Sequence, residues 1–294
     1  MKMNDKAIRT LFRSPLWAIL PEAFSALLMK LSQQTEFAIK PAPGKVHSSK
    51  VAVVPIEGVL TKDGPAWLGS NYKGIANALE SAAADASVKR IVLAVDSPGG
   101  EVTGLPETAE VIRRVANTKP VHAVVEGTSA SAAYWLTSQA SDITLTPSGE
   151  VGSVGVRMMH ADISGMLEQW GIKVTELSAG NYKTEWSPFH PLSDEAKADM
   201  QQRLDAVHSN FLKDIGQGRG TRAGARIRVN RFGEGRMFSS TEALRHGLVD
   251  NLQSPREFYR AVSRYATDER PAATRLQRAR LELARMRTPF CNLP

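Results

Sequence analysis

The chain has 294 residues, 42% of them hydrophobic and 23% charged, with a net charge of +7. This composition is typical of a globular protein and excludes disordered, collagen-like and disulfide-rich chains. The single cysteine, Cys291, lies among the last four residues and cannot form an intrachain disulfide. The fold therefore does not depend on an oxidising compartment, and the tail position makes Cys291 a poor catalytic candidate.

The positive charge is concentrated in two stretches, residues 213–236 and the tail from residue 268. Such charge runs are usually solvated loops or helices. No base-reading motif and no interleaved aromatic residues accompany the arginines. We therefore do not expect nucleic acid to be a partner.

The most apolar early stretch, residues 11–31, is interrupted by charges and prolines at Arg13, Pro15, Pro21, Glu22 and Lys30. A membrane-spanning helix needs about 20 predominantly apolar residues. A secretory signal needs a clean apolar run before its cleavage site. The pattern predicts neither. We expect residues 1–49 to be a docking arm, with a short helix at 21–33 and a Pro-, Gly- and Ser-rich linker at 35–50.

Strands and helices alternate after this linker. Apolar, β-branched runs predict buried strands at residues 51–60, 90–96, 120–125 and 142–146. Helical spacing and propensity predict helices at residues 72–84, 105–116, 132–140, 166–170, 194–211, 241–246 and 276–286. The alternation is typical of an α/β fold with a buried parallel sheet. We assign residues 50–255 to this domain and residues 256–294 to a basic helical tail.

Two polar segments follow neighbouring predicted strands. Residues 97–100 (Ser-Pro-Gly-Gly) come after the second strand, and residues 127–135 come after the third. Ligand sites in open α/β sheets lie at the carboxyl ends of the strands. We therefore expect two loops to meet in one crevice.

Ser131 is the candidate nucleophile in this crevice, because a helix is predicted to begin near Ala132. The N-terminus of a helix favours the negative charge of an incipient alkoxide, although serine is also a common N-cap. Backbone N–H groups of Gly99 or Gly100, together with that of Ala132, are candidates to stabilise an oxyanion. The alternative for the two glycines is a plain tight turn.

Lys183 is the candidate base, 52 residues after Ser131 (183 − 131 = 52). None of the six histidines lies in a catalytic motif, and His122 is expected to be packed within a strand. A lysine acts as a base only if its pKa falls from about 10.4 towards about 7–8, and otherwise it is a solvated surface group. The Ser153 hydroxyl, in a glycine-rich segment, either orients such a lysine or belongs to a simple turn.

Taken together and in this order, these segments resemble the landmarks of the signal peptide peptidase A family of serine peptidases. The resemblance covers residues 50–252, and its landmarks are residues 97–100, 129–135, 152–155, 182–183 and 235–250. It implies a ClpP/crotonase-like fold of repeated β-β-α units with helices packed on the sheet, followed here by a helical C-terminal extension.

The resemblance also implies roles for single residues. Ser131 is expected to be the nucleophile, Lys183 the general base and Ser153 the hydroxyl that orients the lysine. Gly100 and Ala132 would offer the oxyanion N–H groups, and neither a cofactor nor a metal is expected.

The chain departs from the family at one place. The family usually has Ser-Gly-Gly where this sequence has Ser131, Ala132 and Ala133. The additional methyl groups would narrow the oxyanion hole.

Residues 14–21 resemble the start of the head maturation proteases of tailed phages, a branch of this family without a membrane anchor. This implies an endopeptidase that cleaves scaffold, portal-associated or capsid proteins inside the prohead, in the host cytoplasm, as a homo-oligomer. The alternatives are a soluble bacterial peptidase of the same family, a crotonase-like acyl-CoA enzyme, and a catalytically dead capsid assembly or scaffold component.

Overall fold

The computed structural model describes residues 16–25, 50–64, 68–220 and 234–267. Residues 35–49 of the predicted linker, the predicted helix at 276–286, Cys291 and most of the basic tail lie outside these residues. Of the predicted arm helix at 21–33, residues 21–25 are described, and they are helical. Among the described residues, no helix combines the length and apolar character needed to cross a membrane.

The described strands form one sheet. They are β1 Leu16–Ile19, β2 Val51–Leu60, β3 Arg90–Glu101, β4 Val121–Ala130, β5 Asp142–Leu145, β6 Glu150–Gly152, β7 Arg157–Met158, β8 Met237–Ser239 and β9 Asn251–Leu252. The helices are α1 Tyr72–Ala84, α2 Leu105–Ala116, α3 Ala132–Thr137, α4 Ser164–Gln169, α5 Asp194–Arg219, α6 Ser240–His246 and α7 Pro255–Thr267.

The centre of the sheet is parallel, and the ends of β3 and β4 extend beyond it to pair with other strands. Strands β2, β3, β4 and β5 pair in parallel. Beyond a register shift after Val95, the end of β3 pairs with β1 in antiparallel orientation. The end of β4 likewise leaves β5 and pairs with β6. A two-part strand followed by a helix therefore repeats, as expected for a ClpP/crotonase-like fold, and the predicted α/β class is confirmed.

The prediction of a loop at residues 97–100 is wrong, because these residues continue β3 to Glu101. Strand β4 likewise continues beyond the predicted end to Ala130. The strand ends are polar and glycine-rich, so they lack the apolar pattern that marks a strand in sequence. Pairing with β1 and β2 keeps the end of β3 extended, and pairing with β6 keeps the end of β4 extended.

Side chains of the central strands alternate between two cores. Ile91, Leu93 and Val95 belong to the larger cluster, which α1 and α2 cover. Val92 faces the opposite way, into a smaller cluster that Phe258 of α7 covers. Helix α7 therefore packs on the sheet, although its residues from 256 onward were assigned to the tail.

Helix α3 is held by polar contacts behind the core. The Tyr134 hydroxyl donates to the Leu248 carbonyl at 2.9 Å. The Trp135 indole N–H donates to Asp214 of α5 at 2.8 Å. The Arg219 side chain, fully buried at the end of α5, donates to both carboxylate oxygens of Asp250 at 2.8 Å. These contacts fix α3 between α5 and the segment that follows α6.

Breaking the buried Arg219–Asp250 ion pair should lower the free energy of unfolding far more than breaking an exposed ion pair. Replacing Asp250 by Asn leaves the Arg219 charge buried without its counter-ion, and we expect the free energy of unfolding to fall by about 3–5 kcal/mol. Glu80 and Arg114 form an ion pair at 2.6 Å with both side chains about half exposed. Glu80→Gln should therefore cost at most about 1 kcal/mol. Urea denaturation measures both changes, and equal losses would contradict the role of the buried pair.

Candidate active site

Ser131 lies at the junction of β4 and α3 with a strained backbone. Its φ is 53° and its ψ is −116°, a conformation that residues with a side chain rarely adopt. The Ser131 N–H donates to the Gly152 carbonyl at 2.8 Å, and the Ser131 carbonyl accepts from the Trp135 N–H at 2.9 Å. The side chain does not cap α3; its hydroxyl instead lies 3.3 Å from the Gly155 carbonyl oxygen. Such strain is concentrated at functional sites, and surrounding contacts must maintain it.

Ser153 is a second strained serine beside the first. Its φ is 51°, and its N–H donates to the Arg236 carbonyl at 2.7 Å. Ala130 and Gly152, the residues that precede the two serines, stand opposite each other in the pairing of β4 with β6. The fold therefore brings Ser131 and Ser153 together, and both are almost fully buried.

Gly99 and Gly100 let the backbones of neighbouring segments approach β3 closely, beside the start of α3. A Cβ at Gly99, where φ is 102°, would overlap the Ala18 carbonyl oxygen and lie 3.1 Å from the Ala132 nitrogen. A Cβ at Gly100 would overlap the Leu60 carbonyl oxygen. Only glycine fits at either position.

The amides at this corner differ in their partners. The Gly99 N–H donates to the Ser97 hydroxyl at 3.2 Å. Gly100 stands opposite Ala18 in the sheet. Among the described residues, the Ala132 N–H donates to no acceptor. Ala132 is therefore the best-placed of the predicted oxyanion donors.

Ala132 and Ala133, which stand where the resemblance leads us to expect glycines, are both fully buried. Their methyl groups belong to the main core cluster. Alanine also favours a helix over glycine by about 1 kcal/mol per residue. The substitution therefore stabilises the helix that follows the nucleophile position.

Among the described residues, no hydrogen bond joins the Lys183 side chain to Ser131 or Ser153. The side chain is exposed, and its backbone N–H donates to the Gly180 carbonyl at 3.3 Å. The segment around it is exposed throughout residues 168–183. This segment carries large apolar side chains in water, among them Trp170, Leu177 and Tyr182, which are 65%, 93% and 64% exposed.

His208 is a residue that the sequence did not single out. It lines a cavity of about 380 Å³ together with Ile19, Pro21, Ser153 and Gly155. Its Nε2 is buried, and among the described residues it has no hydrogen-bond partner. Helix α5 carries His208 to the cavity, and no local motif marks that position.

His122 is packed within a strand, as the sequence indicates. Its Nδ1 lies 2.6 Å from a carboxylate oxygen of Asp142, and its Nε2 lies 2.7 Å from the Arg90 guanidinium. These contacts belong to the opposite end of β4 from Ser131, so His122 does not reach the candidate site.

A buried serine held in a strained conformation at a strand–helix junction, with a backbone N–H beside it, is an arrangement suited to acyl transfer. The family model of peptidase family S49 matches residues 113–267. The chain belongs to this family.

Two curated relatives illustrate the similarity. The chain is 33% identical over 206 residues to the capsid assembly protease C of Escherichia phage lambda, covering 69% of this chain and 46% of that protein. It is 28% identical to a putative signal peptide peptidase of Enterococcus faecium, covering 70% of this chain and 60% of that protein. The resemblance to this family, including its phage branch, is confirmed. The chain spans about half the length of the phage relative.

Among solved structures, the membrane-bound stomatin-specific protease 1510-N, with a substrate peptide bound, aligns with a TM-score of 0.45 and 15% identity. The alignment covers 73% of this chain and 80% of that one.

The strained backbone at Ser131 predicts an unusual order of stability between the glycine and alanine variants at this position. Glycine adopts positive φ without strain, whereas alanine carries the same strain as serine. We expect Ser131→Gly to exceed Ser131→Ala in free energy of unfolding by about 1 kcal/mol. At Ser129, which is buried in β4 and does not have a positive φ, the order should reverse by about 0.5–1 kcal/mol. Urea denaturation of the four variants tests this, and the same order at both positions would contradict it.

Proposed function

We propose that the protein is a serine endopeptidase in which Ser131 is the nucleophile, Lys183 the general base and Ser153 the hydroxyl that holds the lysine. The observation that carries this proposal is the buried, strained Ser131 beside the Ala132 N–H, which has no acceptor within the described part of the chain. A hydroxyl fixed in this way is oriented before the substrate arrives, which is the main contribution a protein makes to acyl transfer.

The chemical steps follow from these positions. The Ser131 oxygen attacks the substrate carbonyl carbon while the neutral Lys183 amine takes the hydroxyl proton. The carbonyl oxygen gains the negative charge and accepts from the Ala132 N–H and from an amide of the Gly99–Gly100 corner. Collapse breaks the peptide bond as the lysine ammonium protonates the leaving amine. Water then hydrolyses the acyl-enzyme by the same steps.

Assembly of several copies would complete this site. A lysine acts as a base near neutral pH when burial or a nearby cation favours its neutral form, yet Lys183 is exposed. Exposed apolar surface of this kind marks protein–protein contacts. The apolar side chains around Lys183 therefore support a homo-oligomer in which a contact between copies covers the lysine and places it beside Ser131 and Ser153.

The phage relative supports a substrate class. That protein is named a capsid assembly protease, and residues 14–21 resemble the start of phage head maturation proteases. We infer that the substrates are scaffold, portal-associated or capsid proteins, cleaved inside the prohead in the host cytoplasm.

Cleavage of the purified scaffold partner by the full chain tests the residue roles. Ser131→Ala and Lys183→Met should each lower kcat by about a thousandfold or more, because a nucleophile and its base act as a unit. Lys173→Met is the matched control, since Lys173 is an exposed lysine of the same segment. Gel electrophoresis of the cleavage products over time measures the rates, and a fully active Lys183→Met variant would remove the lysine from the mechanism.

Mixing inactive variants tests the assembled site. If the lysine of one copy serves the serine of another, mixed oligomers of Ser131→Ala and Lys183→Met should recover up to about a quarter of the native activity in a random mixture. Sedimentation should show both variants in the native oligomer. An oligomer of native size without any recovery would place serine and lysine in the same copy.

A further inference from the structure

We propose that residues 16–20 of this chain occupy the groove in which a peptide substrate has to lie, so that β1 is an internal cover of the active site. The inference rests on the proposed function, because it takes the corner of Ser131, Ala132 and Gly99 as the place of catalysis. It adds a form of regulation to that site: β1 must leave before a substrate can bind.

The position of a substrate follows from the backbone at this corner. A carbonyl that reaches Ser131 and the Ala132 N–H must pass along the end of β3, next to Gly99. One edge of this strand end is covered by β2, which pairs with it as far as Gly100. On the other edge, β4 pairs with β3 only as far as Ser129, opposite Ser97. The open edge beyond this point is a site for an added strand.

Strand β1 takes this edge. Ile19, Ala18 and Trp17 stand opposite Gly99, Gly100 and Glu101 in antiparallel register. The Leu20 N–H donates to the Pro98 carbonyl at 3.0 Å, and the Val102 N–H donates to the Leu16 carbonyl at 3.2 Å. The backbone groups that would hold an extended substrate are therefore already paired within the chain.

The opposite side of β1 is also paired. Leu16 and Trp17 stand opposite Met158 and Arg157 of β7, again antiparallel. Strand β1 thus lies between β3 and β7, as an added peptide strand would. Ile19 and Pro21, at its carboxyl end, line the same cavity as Ser153. The segment therefore runs toward the two strained serines.

A few side-chain contacts hold β1 in place. Trp17, Ile19 and Phe24 form a cluster of their own outside the main core. The Trp17 and Phe24 rings lie 5.5 Å apart, and the Arg157 guanidinium lies 5.0 Å from the centre of the Phe24 ring. A strand of four residues with a satellite cluster opens at a lower free energy than the central sheet. The cover is therefore suited to reversible release.

Peptide binding measures this occupancy without catalysis. The full chain carrying Ser131→Ala is titrated against a fluorescent peptide, Leu-Trp-Ala-Ile-Leu, that copies residues 16–20. A tethered strand competes at an effective concentration of about millimolar, so the peptide should bind weakly. Adding Ala18→Pro, which cannot donate to the ladder, should strengthen binding by about tenfold or more. Glu22→Ala is the control, because Glu22 is exposed and lies outside β1, and it should leave binding unchanged.

Equal peptide binding with and without Ala18→Pro would overturn the proposal. Because Ala18 is fully buried, Trp17→Ser serves as a second variant, and thermal unfolding checks that both fold. Hydrogen exchange supplies a readout on the unaltered β1: saturating peptide should expose the amides of residues 16–20 while residues 99–101 stay protected. Continued protection of both segments would equally overturn it.

Cleavage assays separate this proposal from the proposed function. With Ser131 in place, Ala18→Pro and Trp17→Ser should raise the initial rate of scaffold cleavage, whereas Glu22→Ala should not. If the peptide displaces β1 but Ser131→Ala still cleaves, the catalytic assignment fails and the cover stands. If cleavage requires Ser131 but both β1 variants leave rate and binding unchanged, the cover fails and the catalytic assignment stands.

Discussion

Three backbones meet at Gly99 and Gly100 with no room for a side chain, and the geometry of the site while β1 covers it depends on this contact. Strand β2 approaches from one side and β1 from the other. A Cβ at either glycine would overlap a carbonyl oxygen of a neighbouring strand. Because β3 continues through these glycines as a strand, its end reaches the nitrogen of Ala132, where α3 begins. A loop at residues 97–100 would not fix the separation between Gly99 and the Ala132 nitrogen.

The strain at Ser131 and Ser153 is balanced by contacts from distant parts of the chain. A residue in a sparsely populated conformation costs about 1–3 kcal/mol. Hydrogen bonds from the two serine amides to Gly152 and Arg236 hold the conformations. Behind α3, burial lowers the pKa of Arg219 but its bond to Asp250 raises it, with a net increase that keeps the guanidinium charged. The strained serines thus lower the stability of the fold, and the packing of α3 offsets this loss.

Much of the fold is predictable from the sequence where the chemistry is local. Strand β2 and helices α1 and α2 have the predicted bounds, because apolar periodicity and residue propensity decide them. The ends of β3 and β4 were missed, since their polar, glycine-rich residues are extended only because other strands pair with them. Helix α5 continues beyond its predicted end, to the buried Arg219, which a sequence pattern treats as a solvated charge.

The candidate site, like the fold, could be predicted in part from the sequence. The proximity of Ser131, Ser153, Gly99 and Ala132 agrees with the sequence-based expectation, although their catalytic roles stay predictions. His208 was missed because only the packing of α5 takes it to the cavity. The place of Lys183 could not be derived, because its surroundings depend on what covers an exposed segment rather than on residues near it in sequence.

The contact between Ser153 and Arg236 has a consequence for biosynthesis. A ribosome releases the chain from its N-terminus, so β4 and Ser131 emerge about a hundred residues before β8. The amide of Ser153 gains its partner only when Arg236 has been made, and α3 is anchored only when Leu248 and Asp250 follow. A nascent chain therefore carries its hydroxyl groups without the conformation that orients them. The order of synthesis therefore delays the orientation of both serines until residues 236–250 have been made.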